Sequence, residues 1–220
     1  MRSNAFSWLI NILFPPRCAI CKTSDMILCD QCNGVIVNQC ASQIRIPALL
    51  FLNIALAAGP MKDELSQAIY ALKYRNQKDL VPLLAPRLMP AWHSLGTLAR
   101  SALVVPVPLH KSRIRERGYN QAELLARCIV PPDRLCLDTL VRTRATISQI
   151  KTTTRAERIA NMQGAFQILQ ANKITGRDII LIDDVCTTGA TLSSCAQALT
   201  QASPRSISAI VLAHGNGRKN

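Results

Sequence analysis

The amino-acid sequence predicts an α/β fold, a mostly parallel sheet covered by helices, preceded by a small four-cysteine zinc-binding module. From residue 46 onward, short apolar segments typical of strands alternate with segments whose apolar residues recur at helical spacing. Before that point, two Cys-x-x-Cys pairs lie close together, which is typical of a metal-binding module. We therefore divide the chain into an N-terminal helix and zinc module, 1–45, and a main domain, 46–220.

The net charge restricts the classes of partner. The 220 residues include 26 Lys and Arg against 13 Asp and Glu, a formal charge of +13, and the pI is near 9.8. This surplus favours an anionic partner such as nucleic acid, phosphates or an acidic membrane surface. No uninterrupted run of about 18 apolar residues is present, so the sequence predicts no transmembrane segment.

The apolar segment 8–14 precedes the first cysteine pair. Pro15, Pro16 and Arg17 follow it in place of the small residues of a signal-peptide cleavage site. We therefore expect a short helix packed on the domain, with docking on a membrane or a partner as the alternative. Five of the nine cysteines are clustered before residue 41, which favours metal ligands over disulfides and a cytoplasmic location.

The two cysteine pairs are Cys18 with Cys21 and Cys29 with Cys32. Each pair can direct two thiolates at one ion from a tight turn, and two pairs complete a tetrahedral sulfur site for zinc. Such a closed site has a structural or binding role, because no position is open for a substrate. Redox or disulfide chemistry is the alternative, and the role of a fifth cysteine, Cys40, is left open.

The elements of the main domain follow from periodicity and from the positions of glycine and proline. The first half is predicted to contain a strand at 48–58, a helix at 65–72, a helix at 79–88 capped by Asp79, and a strand at 103–108. The second half is predicted to contain a helix at 120–130, a strand at 135–141, a long polar loop at 142–164, strands at 165–169, 178–182 and 207–213, and a helix at 190–202. On the first helix, Tyr70 and Tyr74 are expected to pack onto the sheet, with binding of a base or a strand as the alternative.

Residues 179–192 form the most informative segment. An apolar strand ends in two adjacent carboxylates, Asp183 and Asp184, and a turn of small hydroxyl residues follows. Backbone N–H groups of that turn and of the next helix form an anion cradle, with Gly189 permitting the close bend. The residues of the turn are Thr187, Thr188, Gly189, Ala190 and Thr191. Adjacent carboxylates repel phosphate and suit a sugar diol and Mg²⁺ instead.

This segment resembles the phosphoribosyl pyrophosphate (PRPP) motif of type I phosphoribosyltransferases, and further motifs narrow the resemblance to the ComF/GntX family. These motifs are Leu13-Phe14-Pro15-Pro16-x-Cys-x-x-Cys, Leu72-Lys73-Tyr74, Val105-Pro-Val-Pro108, Arg117-Gly118-Tyr119-Asn120-Gln121, Ser148-Gln149, Arg155-x-x-Arg158-x-x-Asn161 and Gly164-Ala-Phe166. The resemblance implies a type I phosphoribosyltransferase-like domain. It implies that Asp183 and Asp184 bind ribose hydroxyls, that 187–191 bind the 5′-phosphate, and that Mg²⁺ accompanies PRPP.

Two basic loops are predicted beside this site. The resemblance implies that Lys111 and Arg113 of the first loop bind pyrophosphate. Arg115 and Arg117 are expected to bind the same anion or a nucleic-acid backbone. The second resembles the flexible hood of the transferases, and its cations are Arg142, Arg144, Lys151, Arg155 and Arg158. The sequence identifies no catalytic residue.

Residues 100–158 concentrate the charge surplus, with twelve Lys and Arg against five Asp and Glu. The stretch contains one aromatic residue, Tyr119, so contact with single-stranded DNA is predicted to be mainly electrostatic and salt-sensitive.

Three functions remain open. The first, implied by the resemblance, is a competence protein that binds a PRPP-type ligand and handles single-stranded DNA with the DNA-uptake machinery. The second is an enzyme of nucleotide metabolism that transfers phosphoribosyl from PRPP to a base or amine. The third, a zinc-dependent nucleic-acid adaptor with a vestigial PRPP site, is disfavoured because the Asp-Asp and Thr-Thr-Gly-x-Thr segments are intact.

Overall fold

A five-stranded, mostly parallel sheet organises the part of the chain that the computed structural model describes, residues 15–144 and 164–215. The strands are β1 (Ile44–Arg45), β2 (Ile54–Pro60), β3 (Leu103–Pro106), β4 (Leu140–Arg142), β5 (Phe166–Ile168), β6 (Asp178–Cys186) and β7 (Ser206–His214). The helices are α1 (Asp30–Gln39), α2 (Asp63–Tyr74), α3 (Val81–Leu84), α4 (Met89–Ser94), α5 (Thr97–Ser101), α6 (Lys111–Arg117), α7 (Gln121–Ile129) and α8 (Ala190–Thr200). Short 3-10 turns lie at Lys78–Leu80, Ala85–Leu88, Pro132–Arg134 and Ala171–Lys173.

The main sheet has the strand order β1-β2-β7-β6-β3. β2, β7, β6 and β3 are parallel, and β1 is antiparallel to β2 at the edge. A separate antiparallel pair joins β4 to β5. This mixed, mostly parallel sheet with helices on both faces agrees with the predicted α/β class.

Alternation along β6 and β7 assigns the core to two faces. Ile180 and Ile182 face the side covered by α2 and α7, whereas Ile179 and Leu181 face α8. Because successive strand residues point to opposite faces, a strand covered on both faces is apolar throughout. The continuous apolar run in β6 is therefore explained by helices on both sides of the sheet.

The predictions for α2, α7, α8, β3, β5, β6 and β7 agree with the observed elements to within a few residues. β6 is longer than predicted and continues through Asp183 and Asp184 to Cys186. The prediction of a strand at 48–58 is partly wrong, because the strand begins at Ile54. β1 pairs with β2, so the chain must reverse between them, and Phe51 has a left-handed φ of 65° in this reversal.

The prediction of one helix at 79–88 is also wrong. This segment forms a succession of short helical pieces, and prolines lie at positions 82, 86 and 90. Each proline lacks the N–H that a continuous helix requires, so the hydrogen-bond ladder is interrupted repeatedly. Asp79 lies inside the 3-10 turn Lys78–Leu80 and forms no cap there.

The basic segment after Pro108, predicted as a loop, is largely the helix α6. Its two ends have recognisable caps. The His110 Nδ1 accepts a hydrogen bond from the Ser112 N–H at 3.2 Å, and Gly118 ends the helix with a left-handed φ of 81°.

Other predictions fall at the limits of the described residues. The strand predicted at 135–141 is confined to β4, and Arg142 from the predicted long loop lies in that strand. Most of the long loop, residues 145–163, lies outside the described residues, as does the helix predicted near residues 8–14. Within 15–144 and 164–215, no helix has the length and apolar character needed to cross a membrane.

Candidate functional site

A cavity of about 250 Å³ opens at the carboxyl ends of β3 and β6. Parallel α/β sheets usually bind ligands at this edge. Its lining is mostly polar and charged: Lys73, Tyr74, Val107, Leu109, His110, Ser112, Arg113, Arg117, Gln121, Arg142, Asp183, Asp184, Val185 and Thr191.

The two aspartates on β6 point in different directions because adjacent strand residues alternate between faces. Asp184 lies on the α2 side, where its Oδ2 is 2.9 Å from the Lys73 Nζ. Asp183 lies toward α8, near Cys195. Burial raises the pKa of the Cys195 thiol, and the nearby Asp183 raises it further. Both carboxylates are buried, at 7% and 2% exposed.

Burial and the neighbouring Asp184 raise the pKa of Asp183 well above its usual range, although Lys73 opposes this shift. Burial disfavours charge on Lys73, but the attraction of Asp184 and Asp183 outweighs it and raises the Lys73 pKa. The surroundings of Asp183 therefore favour its neutral form, next to the ion pair between Lys73 and Asp184.

Cationic side chains from two other elements form a further part of the cavity wall. Arg113 and Arg117 are four residues apart on α6 and both line the cavity. Arg142 reaches it from β4, with its guanidinium 5.5 Å from the centre of the Phe166 ring. Arg117 donates a hydrogen bond to the Gln121 Oε1.

Of the predicted phosphate-binding residues 187–191, only Thr191 lines this cavity, and it lies in the first turn of α8. Gly189 has a left-handed φ of 78°, which favours glycine, and a Cβ there would meet the Leu49 side chain. The Thr188 hydroxyl accepts a 3.4 Å bond from the Ala190 N–H. The first N–H groups of an α-helix have no intrahelical partner, so the start of α8 could bind an anion.

Some predicted site residues are not brought to the cavity. Lys111 and Arg115 are exposed on the other side of α6, and Arg144 is exposed beyond β4. Thr187, Thr188 and Gly189 lie in the turn before α8, Ala190 is the first residue of α8, and none of the four lines the cavity. Lys151, Arg155 and Arg158 lie outside the described residues.

Two cavity residues that sequence reasoning did not assign are Lys73 and Tyr74. They lie on α2, more than 100 residues before the aspartates. They occur in the Leu72-Lys73-Tyr74 motif, but helical periodicity indicates only which residues of α2 face the core.

The four predicted cysteine ligands lie together. The Sγ atoms of Cys18, Cys21, Cys29 and Cys32 are all within 4.8 Å of one another. A tetrahedral zinc with bonds of about 2.3 Å needs sulfurs roughly 3.8 Å apart, so the cluster fits this metal after small adjustments. The Thr23 side chain hydrogen-bonds the Cys21 sulfur at 3.2 Å and lowers the pKa of Cys21 to about 6, which favours the thiolate that binds metal.

Cys40 is separate from this cluster. It is buried, and burial raises its pKa to about 11. Its sulfur packs against Gly59, where an added Cβ would lie 3.2 Å away. Cys40 is therefore a packing residue between α1 and β2.

Comparison with known proteins finds sequence similarity over much of the chain. The phosphoribosyl transferase domain model matches residues 112–220. The competence protein ComFC of Bacillus subtilis is 39% identical over 63% of this chain and 55% of its own length. The DNA utilization protein YhgH of Escherichia coli O157:H7 is 29% identical over 83% of each chain. In sequence the chain is similar to ComF-type proteins.

The match to the phosphoribosyl transferase domain begins in α6 and includes the aspartates on β6 and the turn before α8. A solved structure, the hypoxanthine phosphoribosyl transferase of Trypanosoma cruzi, is 15% identical, with 66% of this chain and 68% of that chain covered at a TM-score of 0.36. At that TM-score the likeness adds nothing to the family match. α2 and the four cysteines precede the matched range.

Proposed function

We propose that the cavity binds PRPP or a related phosphoribosyl ligand. The observation that carries this proposal is that two buried carboxylates and an arginine wall, Arg113, Arg117 and Arg142, line one cavity. A phosphorylated sugar can interact with both sets of side chains. Its hydroxyls can bind Asp183 and Asp184, and its anionic groups can bind Arg113, Arg117 and Arg142. The start of α8 provides a further phosphate position.

The position of Lys73 limits where the protein could bind Mg²⁺. Carboxylates are suitable Mg²⁺ ligands, but the Lys73 ammonium already lies 2.9 Å from Asp184. The protein side of the cavity therefore does not fit a resident magnesium at Asp184. The expectation that the twin carboxylates suit Mg²⁺ is therefore not supported at Asp184, and the proposed ion is one that arrives with the pyrophosphate of PRPP.

The biological role we propose is that of a ComF-like competence protein, which handles single-stranded DNA in the cytoplasm together with the DNA-uptake machinery. The names of its relatives, a competence protein and a DNA utilization protein, support this role. The formal charge of +13 supports an anionic partner. Zinc, held by the four clustered cysteines, is proposed to be structural.

A phosphoribosyltransferase acting in nucleotide metabolism is the second candidate. The family-model match supports it, as does the arginine wall, which is suited to stabilising departing pyrophosphate. The two candidates share PRPP binding and differ in turnover.

Isothermal titration calorimetry with Mg-PRPP tests the shared step. The double variant Asp183→Asn and Asp184→Asn should lose at least tenfold in affinity, because hydrogen bonds from sugar hydroxyls to the Asp184 carboxylate and to the Asp183 carboxyl group are lost. Asp138→Asn, an exposed acid away from the cavity, is the matched control and should bind as the wild type does. Unchanged affinity in the double variant contradicts the site assignment.

Pyrophosphate release separates the two candidates. The wild type is incubated with Mg-PRPP and a panel of bases and amines. Release that depends on one acceptor identifies the enzyme, whereas binding without release favours the competence role.

A further inference from the structure

The exposed face of α2 carries two tyrosines. Tyr70 and Tyr74 are 52% and 53% exposed, although the same helix buries Leu65, Ile69 and Leu72 completely. Being four residues apart, the tyrosines lie on one side of the helix, and their ring centres are 4.8 Å apart with planes tilted by 43°. The expectation that these rings pack onto the sheet is therefore wrong, because the apolar stripe of α2 points the other way.

Two arginines flank the tyrosine pair. The Arg117 guanidinium from α6 lies 5.6 Å from the Tyr74 ring centre, and the Arg75 guanidinium lies 5.5 Å from that of Tyr70. The order across the surface is thus Arg117, Tyr74, Tyr70, Arg75, which we call the tyrosine–arginine row. It joins residues from two elements into one aromatic and cationic surface.

The row has a defined direction. At one end, Tyr74 and Arg117 line the cavity proposed to bind PRPP. At the other end, Arg75 Nη1 donates to the Ala19 carbonyl at 3.3 Å, between Cys18 and Cys21. Lys22 Nζ donates to the same carbonyl at 2.9 Å. The row therefore connects the cavity with the four-cysteine cluster.

We propose that the tyrosine–arginine row binds single-stranded nucleic acid, with bases stacked on the tyrosine rings and phosphates paired with the arginines. This inference rests on the proposed role in handling single-stranded DNA and names a surface for it. Single-strand binders combine a cationic track with aromatic rings on which bases stack, whereas a duplex offers no free base faces. The contact is therefore more than electrostatic, in contrast to the expectation from residues 100–158, where Tyr119 is 7% exposed and its hydroxyl donates to the Leu72 carbonyl.

The test measures binding of a fluorescein-labelled oligothymidylate by anisotropy. The double variant Tyr70→Leu and Tyr74→Leu should bind about tenfold or more weakly, since stacking contributes about 1–3 kcal/mol per base. The matched variant Tyr70→Phe and Tyr74→Phe keeps both rings and should bind as the wild type does. Arg75→Gln should reduce the slope of log affinity against log salt by about one, while the leucine variant keeps the wild-type slope.

The result that overturns the proposal is wild-type affinity in the leucine variant, because the rings then serve another contact such as a protein partner. Equal affinity for an abasic oligonucleotide or for a duplex also overturns it, as does the absence of oligonucleotide binding by the wild type. Thermal unfolding checks that the exposed substitutions leave the fold intact.

Failure of this inference is distinguishable from failure of the PRPP proposal. The single variant Tyr70→Leu lies outside the cavity lining and should bind Mg-PRPP normally while losing oligonucleotide affinity. The Asp183→Asn and Asp184→Asn variant should show the reverse. Each site thus has its own variant and its own ligand.

Discussion

At the scale of single residues, the cavity depends on an ion pair between distant segments. Lys73 from α2 and Asp184 from β6 are 2.9 Å apart, and Asp183 completes a buried group of one ammonium and two carboxylates. Two adjacent ionised carboxylates with one cation would leave a net buried negative charge, which is costly. The raised pKa of Asp183 favours its neutral form, which lowers that cost.

The raised pKa of Asp183 predicts that the stability difference between the wild type and the Asp183→Asn variant depends on pH. The folded-state pKa of Asp183 lies well above its ordinary value of 3.8, so the folded protein binds more protons than the unfolded chain above that pH. The wild type therefore loses stability as pH rises above about 4, until Asp183 in the folded protein has ionised. The asparagine variant lacks this ionisable group and should be more stable at neutral pH. Each kcal/mol gained in the free energy of unfolding should raise its melting temperature by about 2–4 °C.

Thermal unfolding at several pH values between 4 and 8 measures this difference. The melting temperature of the variant relative to the wild type should rise with pH. A difference that is constant or falls with pH would contradict the raised pKa of Asp183. Asp138→Asn serves as the exposed control. The variant trades ligand affinity for stability, which is common at binding sites.

The sequence predicts the aspartates but not their lysine partner. Asp183 and Asp184 stand out because they end an apolar strand and precede a hydroxyl-rich turn. Lys73 is one basic residue among 26, and no local pattern relates it to β6. Its role follows from the packing of α2 on the sheet.

At the scale of elements, α6 explains why only half of a basic cluster reaches the cavity. In a helix, residues four apart share a side, so Arg113 and Arg117 face the cavity while Lys111 and Arg115 face away. A loop would have permitted all four to converge. The exposed pair remains available to a larger anion, as expected for a nucleic-acid backbone.

The beginnings of β6 and β7 are joined by a second charged contact. Asp178 accepts a bond from the Arg205 Nε at 2.9 Å and another from the Ser206 hydroxyl at 2.6 Å. The hydrogen bonds from Arg205 lower the pKa of Asp178 to about 2. This contact ties the strands together at the end opposite the cavity.

We predict that Asp178→Asn destabilises the protein by about 1 kcal/mol at neutral pH, a modest value because Arg205 is largely exposed. A depressed folded-state pKa stabilises above the ordinary value of 3.8, and this contribution is lost as pH falls from about 4 toward 2. Urea unfolding at pH 7, 4 and 3 should show the difference from wild type shrinking in acid. A double-mutant cycle with Arg205→Gln isolates the pair, and additive effects would contradict it.

At the scale of the whole molecule, the cysteine segment shares its core with the sheet domain. Cys18, Leu28 and Ile36 belong to the same buried cluster as Leu65 and Leu72 of α2. The division at residues 45 and 46 remains a proposal about chain organisation. The shared core implies that changes at the cysteine cluster are transmitted to α2, which carries Lys73 and both exposed tyrosines.

Metal removal is therefore predicted to affect more than the cysteine segment. We expect about one zinc per chain by elemental analysis, and a strong chelator should lower the melting temperature and open residues 15–43 to proteolysis first. Cys29→Ser should reduce the zinc content to a small fraction, whereas Cys128→Ser, an exposed cysteine outside the cluster, should retain it. Folded protein with no metal and an unchanged response to chelator would contradict this prediction.

The sequence by itself determined the α/β class, the four-cysteine cluster and the strand that carries the twin aspartates. Each of these depends on residues that are neighbours along the chain, where spacing and alternation encode geometry directly. Only the tertiary structure decided that Lys73 pairs with Asp184, that Arg113 and Arg117 face the cavity, and that Tyr70 and Tyr74 remain exposed. These outcomes depend on how α2 and α6 are rotated and packed against the sheet, and helix rotation is set by burial of the whole apolar stripe, which no short motif contains.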